Sequence, residues 1–501
     1  MKMEALLKRY RETKALLEKY RYAIFILNFD AVTDCPKNDR EHSSEVTEFF
    51  EKKILDITLG EEYIGLIDEL YAHRAELDEV ASLDVEIEYK QLQKTRRIPK
   101  EELERHIENV SRSSLAWQTA RQTLDYAPFY RELEELISYY RSYIGWQKTD
   151  KLDGYDVLLD EMEEGYTAGM YDTFFDVIEK ELVPFISRVL ACPKPYPEKL
   201  DTLRFDLSRQ KELTKRIARI MGYDENVGCI RETAHPFTDW ANNNDVRITT
   251  SYSEEQLISN LYSVMHEIGH ALFQLQMDDK YNGTNVFNNV TCITHESQSR
   301  FYENYLGRSR AFVSYLYPVL CELFPAEFEG VTEEDLYAYV NCVKAQLYRT
   351  EADELTYPLH VMIRYHVEKK LFAGEIDAEG MRRVFDGEME KYLGIRPANE
   401  REGVFQDVHW SDGFGYFPTY AVGSAYGAMF YEAMCADLDP DACLRRGDFQ
   451  PINAWLREKI HKFSGTRKNL EVVRAACGKE FDPYVYVNYL KKKFSEIYHL
   501  S

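Results

Sequence analysis

Helical periodicity runs through most of this 501-residue chain and constrains its fold more than any other feature. Apolar residues recur three and four positions apart, the spacing that places them on one face of an α-helix. With 16 prolines and 24 glycines in the whole chain, residues that break helices are sparse. The pattern predicts helices over 4–25, 40–59, 61–93, 98–124, 128–148, 170–190, 207–221, 254–277, 296–324, 333–373, 379–393, 418–438 and 450–463.

Three segments depart from this pattern. Residues 192–198 form a Pro-rich connector, and residues 403–420 are rich in Gly and aromatic side chains. Residues 245–252 alternate β-branched and polar side chains, which predicts a short strand. No linker is long enough to separate domains. We therefore predict an all-α fold, a single domain over 1–501, with two lobes around a deep groove and a small antiparallel β-sheet.

Charge and cysteine usage exclude several classes of protein. The formal net charge is −24, whereas binding to nucleic acid or to an anionic membrane needs a basic surface. The apolar runs are too short to span a bilayer, and the first residues form a charged amphipathic helix rather than a signal peptide. Nine cysteines without a C-x-x-C pair favour a reducing, cytoplasmic location, so we interpret the N-x-T sequons at Asn282 and Asn289 as chance.

The motif that indicates chemistry is His266-Glu267-Ile268-Gly269-His270, inside a helical pattern. Side chains four residues apart share one helix face, so both imidazoles can bind one metal ion. Glu267 lies beside that face, where it can act as general base on a water molecule. A surface helix could carry two His and a Glu by chance, but the apolar residues on both sides argue against that alternative.

A catalytic zinc site needs a third protein ligand, from another helix. His295 and Glu296 lie just downstream, where a new helix begins, and either could complete the site. A carboxylate in the first turn of a helix is also favoured by the helix dipole alone. Taken from the residues alone, the choice between these two neighbours stays open.

Six short motifs occur in order between residues 235 and 410. They are His235-Pro236-Phe237, Asp245–Thr249, His266–His270, His295–Gln298, Arg349–Asp353 and Gly403–Trp410. Together they resemble the carboxypeptidase Taq family of metallocarboxypeptidases. The resemblance covers residues 200–500 well, and the first 190 residues only in helical texture and acidity. The sequence departs from the family pattern in three places: Tyr348 replaces Ile or Asn, Arg300 replaces an apolar residue, and the segment 273–276 lacks the expected Tyr and Gly.

The resemblance implies a function. It implies one Zn²⁺ per chain, which Co²⁺ or Mn²⁺ could replace, and it favours Glu296 over His295 as third ligand. It implies peptide substrates with a free C-terminus, a homodimer, and substrate-binding roles for His235 and Gln406. We expect residues 1–190 to form a helical lobe that covers the groove and residues 200–501 to hold the metal.

Further roles follow from the chemistry of peptide hydrolysis. The oxyanion needs a donor, for which His409 and Tyr420 are candidates; ordinary packing is the alternative for both. A terminal carboxylate is best bound by an arginine, whose guanidinium can donate to both oxygens at once. The candidates are Arg349, which we place in a helix, and Arg247. The alternative for each is a structural salt bridge. Asp353 could orient a metal-binding histidine or pair with an arginine.

Two other functions share part of this evidence. An oligopeptidase that cuts inside short peptides would use the same metal chemistry and would differ in having no arginine beyond the leaving residue. A peptide-binding protein without metal would belong to a different class. The intact Glu267 and the complete ligand set argue against this last alternative. The sequence does not indicate which side chain is preferred at the cleaved position.

Overall fold

The structure, a computed structural model, describes residues 2–233 and 235–500. Helices dominate these residues, so the predicted all-α fold is confirmed. The first 190 residues form α1 (Lys2–Val32), α2 (Arg40–Thr58), α3 (Glu61–Ala72), α4 (Glu79–Arg96), α5 (Lys100–Thr123), α6 (Ala127–Gln147), α7 (Tyr155–Met162) and α8 (Ala168–Leu190). The remainder forms α9 (Leu207–Met221), α10 (Leu257–Leu275), α11 (Asn285–Asn288), α12 (Cys292–Arg300), α13 (Arg310–Leu323), α14 (Glu333–Val340), α15 (Tyr357–Phe372), α16 (Ala378–Leu393), α17 (Phe417–Asp437), α18 (Pro440–Leu444), α19 (Gln450–Lys459), α20 (Asn469–Cys477) and α21 (Pro483–Ile497).

Two of the predicted helices are interrupted. Residues 61–93 divide into α3 and α4, because the Asp78 side chain accepts a hydrogen bond from the Ala81 N–H and starts a new helix. Residues 296–324 contain a π-helical segment, Phe301–Gly307, between α12 and α13. Such segments are rare and often lie at functional sites. Periodicity alone does not reveal either interruption, since the apolar spacing continues across both.

The prediction of a helix around Arg349 is wrong. Residues 341–356, between α14 and α15, contain only the 3₁₀ turn Arg349–Glu351. The Asp353 carboxylate accepts hydrogen bonds from the Leu355 and Thr356 N–H groups, which offers the backbone an alternative to helical pairing. Pro358 then stands at the start of α15, the position in a helix where proline is tolerated.

The predicted strand is β3 (Asp245–Thr250), the centre of a three-stranded sheet with β1 (Ile230–Glu232) and β2 (Thr238–Asn242). β2 pairs with β3 in the predicted antiparallel sense, whereas β1 pairs with β3 in parallel, so the sheet is mixed. Ile248 lies opposite Thr238 and therefore shares its face, while Arg247 lies on the other face and packs on α1. The sheet thus separates α1 from α10.

Apolar side chains of the described residues form two clusters. The large one extends from Trp117 to Tyr498 and contains the buried apolar residues of α10, α12 and α17. The small one joins α1, α3 and α4 through residues such as Tyr10, Leu17 and Ile67. Helices α6 to α8 thus pack on the main core, and the first four helices have an apolar cluster of their own. Within the described residues, no helix has the length and apolar character needed to cross a membrane.

Candidate metal centre

Three predicted ligands converge between α10 and α12. Their ligand atoms lie within 4.8 Å of one another. Glu296 Oε2 is 3.8 Å from His266 Nε2 and 3.7 Å from His270 Nε2. Two bonds of about 2.1 Å at a tetrahedral angle would set donor atoms about 3.4 Å apart. Two imidazole nitrogens and one carboxylate oxygen at these separations suit a zinc-like divalent ion, so the residues fit the metal that the motif implies.

Two glycines allow the helices to approach closely at this point. A Cβ at Gly269, between the two histidines, would lie 2.8 Å from the Cα of Ser299 on α12. A Cβ at Gly423 on α17 would lie 3.0 Å from the Cβ of Glu296. Because neither glycine has a Cβ, α12 packs directly against both neighbours and its carboxylate reaches the histidines.

Glu303 forms a hydrogen bond with the nitrogen of His266 that faces away from the other ligands. Its Oε2 is 3.0 Å from His266 Nδ1, which directs Nε2 of that ring toward the ligand cluster. Glu303 lies in the π-helical segment and also accepts a hydrogen bond from Arg300 at 3.1 Å and a longer one from Arg308. Although burial alone would raise the pKa of Glu303, Arg300, His266 and Arg308 hold it well below its usual value. The carboxylate is therefore ionised and accepts the His266 Nδ1–H.

His295 forms a hydrogen bond with His270 and orients its ring. The sequence did not suggest this role. His295 Nδ1 is 2.6 Å from His270 Nδ1, and the His295 ring stacks on Trp240. Its Nε2 is 2.9 Å from the Gln274 amide nitrogen, while the Gln274 amide oxygen is buried without a partner among the described residues. A proton on His295 Nε2, with the Gln274 amide oxygen turned toward it, leaves His295 Nδ1 to accept from His270 Nδ1–H. His270 Nε2 is then free for the metal.

Glu267 is buried beside the ligands, with an exposed fraction of 7%. The Thr238 hydroxyl on β2 donates to its Oε2 at 2.6 Å. Burial raises the pKa of the Glu267 carboxyl above its ordinary value, and His266 and Thr238 counteract part of that effect. A carboxylate with a raised pKa in a fixed position has the properties of a general base.

His409 and Tyr420, the two candidate oxyanion donors, contact each other. His409 begins the 3₁₀ turn His409–Ser411 within the irregular segment, whereas Tyr420 belongs to the first turn of α17. The two are joined by a hydrogen bond of 3.0 Å between His409 Nε2 and the Tyr420 hydroxyl. Burial, with help from Arg349, lowers the pKa of His409 to about 4, so its ring is neutral at pH 7. Its Nδ1 is buried and has no partner within the described residues.

The two candidate arginines have different surroundings. Arg349 is buried and donates to Asp407 from Nε and Nη2, at 3.0 and 2.8 Å, and to the Tyr357 hydroxyl from Nη1 at 3.0 Å. Three of its five N–H donors are thus used. Arg247 forms a bidentate pair with Asp245, at 2.8 Å for both bonds, on the sheet face opposite α10. Both form salt bridges, but only Arg349 contacts the side chains around the ligands.

The remaining predicted residues have no contact with the candidate ligands among the described residues. His235 is exposed in the turn before β2. Gln406 binds backbone: its side chain accepts from the Arg349 N–H and donates to the Leu347 carbonyl, which fixes the turn that carries Arg349. Among the described residues, Asp353 accepts from Lys344, Leu355 and Thr356, and it pairs with neither a histidine nor an arginine.

Sequence reasoning missed the residues that surround the ligands. Thr238, Gln274, Glu303 and Tyr357 were not singled out, and Arg300 was noted only as a departure from the family. One signal was present: Arg300 lies four residues after Glu296, and that spacing places two side chains on one helix face. Thr238 and Tyr357 reach the site only through the tertiary fold and carry no local signal.

Glu163, near the end of α7, supports the helix that carries Glu296. It is fully buried, its Oε2 accepts from the Ile293 N–H in the first turn of α12 at 3.1 Å, and burial raises its pKa to about 8. The folded chain therefore keeps this proton at pH values where the unfolded chain, with a pKa near 4.5, has lost it. The associated stability is complete below about pH 4.5 and decreases as the pH rises toward 8.

We expect Glu163→Gln to remove this pH dependence, since the amide mimics the protonated acid. Relative to the variant, the free energy of unfolding of the wild type should fall by about 1 kcal/mol per pH unit between roughly pH 5 and 8. Urea denaturation of both proteins at several pH values measures the difference. A difference that does not change with pH would show that Glu163 is ionised in the folded chain throughout this range.

A helical fold with two histidines and a glutamate around one point, and a buried glutamate beside them, defines a metallopeptidase. The family model described as carboxypeptidase Taq (M32) metallopeptidase matches residues 9–494. Carboxypeptidase 1 of Bacillus subtilis (strain 168) is 35% identical over 489 residues, which cover 97% of each chain. Thermostable carboxypeptidase 1 of Pyrococcus furiosus is 32% identical over 496 residues, covering 96% of this chain and 98% of its own.

Solved structures agree with these matches. An M32 carboxypeptidase from Deinococcus radiodurans R1 has a TM-score of 0.93 at 31% identity, covering 99% of this chain and 100% of its own. Metallocarboxypeptidase 1 of Trypanosoma cruzi has a TM-score of 0.90 at 29% identity, covering 98% and 99%. The chain therefore belongs to the carboxypeptidase Taq (M32) family, as its motifs suggested, and is a metallocarboxypeptidase.

Proposed function

We propose that this chain releases single amino acids from the free C-terminus of peptides, with one zinc ion held by His266, His270 and Glu296 and with Glu267 as general base. When bound, the ion supplies Lewis-acid polarisation of the scissile carbonyl and of a water molecule. Glu267 takes the proton from the attacking water and delivers it to the leaving amine. The names of the relatives as carboxypeptidases support the substrate class.

His409 and Tyr420 would stabilise the oxyanion. Burial raises the pKa of Tyr420, so its hydroxyl remains protonated and can donate to His409 Nε2. The single proton of the neutral His409 ring then lies on Nδ1, the nitrogen that has no partner among the described residues. A donor that is buried and unused in the free enzyme can bind a charge that develops only during the reaction.

Arg349 would bind the C-terminal carboxylate of the peptide and so restrict cleavage to the last peptide bond. It is linked to the metal ligands by a short series of contacts: it donates to the Tyr357 hydroxyl, the Tyr357 ring lies 4.0 Å from the Arg300 guanidinium, and Arg300 donates to Glu296. Two of its N–H donors remain for a carboxylate. Its position near the metal ligands favours it over Arg247, which lies across the sheet.

A groove for the rest of the peptide lies along β2. A cavity of about 710 Å³ separates α1 from this strand and is lined by Arg21, Tyr22, Phe25, Trp240 and Asn242, among others. β2 is an edge strand, and because Val246 and Ile248 direct their N–H groups to the β1 side, the backbone of Thr238 and Trp240 faces the open edge. We propose that the peptide adds there as a further strand, partly covered by the N-terminal lobe.

The proposal also includes a cytoplasmic location and a homodimeric assembly. All nine cysteines are free, which supports a reducing, cytoplasmic compartment. The homodimer rests on the resemblance to the family, and sedimentation of the purified protein would test it.

We expect Arg349→Ala to lower kcat/KM for peptides with a free C-terminus by about 30- to 1000-fold, equivalent to about 2–4 kcal/mol for a lost charge-assisted anchor. Amidated peptides, which do not use the anchor, should be affected little. The Arg364 guanidinium, 2.7 Å from Asp407 through Nε, keeps that buried carboxylate paired in the variant. Comparing both peptides in wild type, Arg349→Ala and the control Arg247→Ala gives a ratio for each protein. If neither variant changes this ratio, the anchor lies elsewhere and an oligopeptidase becomes the better assignment.

A further inference from the structure

Arg300 contacts the third metal ligand directly. It lies one helical turn after Glu296 on α12, and its Nε donates to Glu296 Oε1 at 2.7 Å. Only 12% of the Arg300 side chain and 6% of the Glu296 side chain are exposed, so water competes little for this bond. An arginine bonded to a metal-binding carboxylate takes one of the two oxygens that the metal could use.

The two oxygens of Glu296 therefore have separate partners. Oε1 faces Arg300, whereas Oε2 faces the two histidines, 3.8 Å from one Nε2 and 3.7 Å from the other. The Ser299 hydroxyl approaches Oε2 at 3.1 Å, but its shorter contact, 2.8 Å, is to the Glu296 carbonyl. Oε2 thus keeps a lone pair directed at the ligand cluster.

Arg300 is itself fixed from two sides. Its Nη1 donates to Glu303 Oε2 at 3.1 Å, and its guanidinium lies 4.0 Å from the centroid of the Tyr357 ring. Glu303 also forms a hydrogen bond with His266. Arg300, Glu303, His266 and Glu296 therefore form a closed ring of contacts that includes two of the three ligands. Arg300 cannot rotate away from Glu296 without breaking an ion pair and an aromatic contact, each of them shielded from water.

From this geometry we infer that Arg300 is a positioning residue that restricts Glu296 to one-oxygen coordination and so keeps a coordination position of the metal open for the reaction. A carboxylate with both oxygens free can bind an ion through one or through both. Bidentate binding would occupy a further position and raise the coordination number above the four of a catalytic zinc site. The inference rests on the proposed metal site.

Two neutral substitutions isolate the one hydrogen bond that matters. In Arg300→Gln the amide nitrogen occupies the place of Arg300 Nε along the side chain, so a donor to Oε1 remains. In Arg300→Met a methyl group occupies that place, so the donor is lost. Both variants lose the same charge and the same contact with Glu303, so effects of charge, packing or folding are common to the two.

The test is the visible absorption spectrum of the wild type and both variants loaded with Co²⁺, whose band intensity reports coordination geometry. We expect strong four-coordinate bands for the wild type and Arg300→Gln, and bands weaker by a factor of about two or more for Arg300→Met, as the number of ligands rises. Circular dichroism checks the fold of each protein, and Arg300→Leu replaces Arg300→Met if the latter does not fold.

The outcomes separate this inference from the proposed function. Equal spectra for all three proteins, or a weak spectrum in the wild type, would overturn the role of Arg300 and leave the metal site intact. Failure of the wild type to bind Co²⁺ at a ratio of one per chain would instead contradict the metal site on which the inference rests. Weak spectra in both variants would show that the charge of Arg300, and not its bond to Oε1, controls the coordination.

Discussion

Glu267→Gln is expected to lower turnover by about three orders of magnitude while the fold and the metal content stay as in the wild type. The amide keeps the shape of the side chain and can still accept the hydrogen bond from Thr238, which is 2.6 Å long in the wild type. It cannot accept a proton from water. The measurement is kcat on a peptide substrate, together with elemental analysis of the same sample.

Glu303→Gln is the matched control for this prediction. It makes the same chemical change on a second carboxylate, which is 12% exposed and contacts His266 rather than the reacting water. We expect it to weaken metal binding by about 10- to 100-fold, as is typical for a residue behind a ligand, and to retain most turnover once metal is supplied in excess. Near-normal turnover of metal-loaded Glu267→Gln would mean that another residue is the base.

His266→Ala is expected to abolish both stoichiometric metal binding and activity. Without this imidazole the site keeps two ligands, His270 and Glu296, whereas catalytic zinc sites use three from the protein. Equilibrium dialysis followed by elemental analysis measures the metal content of the variant. His295→Ala is the informative control, because His295 was the alternative third ligand.

The structure places His295 behind His270, so its loss should weaken metal binding without removing the site. We expect His295→Ala to reach one metal per chain at high metal concentration, and His266→Ala not to. Full metal occupancy in His266→Ala would contradict the ligand assignment. Loss of the metal in His295→Ala at every concentration would assign His295 to the ligand set.

Much of the fold could be predicted because its signal is local. Apolar spacing located most helices, and the β-branched run located β3, the strand that lies against the metal helix. The interruptions could not be predicted from spacing, because Phe301–Gly307 keeps its apolar residues while the backbone changes to a π-helix. The turn that carries Arg349 was missed because it depends on hydrogen bonds to Asp353 and Gln406, which the sequence does not display.

The convergence of two candidate ligands was predictable for a similar reason, since His266 and His270 lie about one helical turn apart, with the candidate base Glu267 between them. The geometry now gives His295 and Glu296 different positions, one behind a ligand and the other facing both imidazoles. The residues that hold the ligands came from other elements, such as Thr238 on β2. Partners of this kind depend on how α10, α12 and the sheet pack together, which single-sequence patterns do not encode.

The most direct test of the proposed function is to incubate the zinc-loaded protein with one peptide in two forms, with a free and with an amidated C-terminus, and to follow the products by mass spectrometry. We predict a series of masses that decrease one residue at a time from the C-terminus of the free peptide, and little or no cleavage of the amidated peptide. Internal cleavage of both forms at equal rates would contradict the assignment as a carboxypeptidase acting on free C-termini.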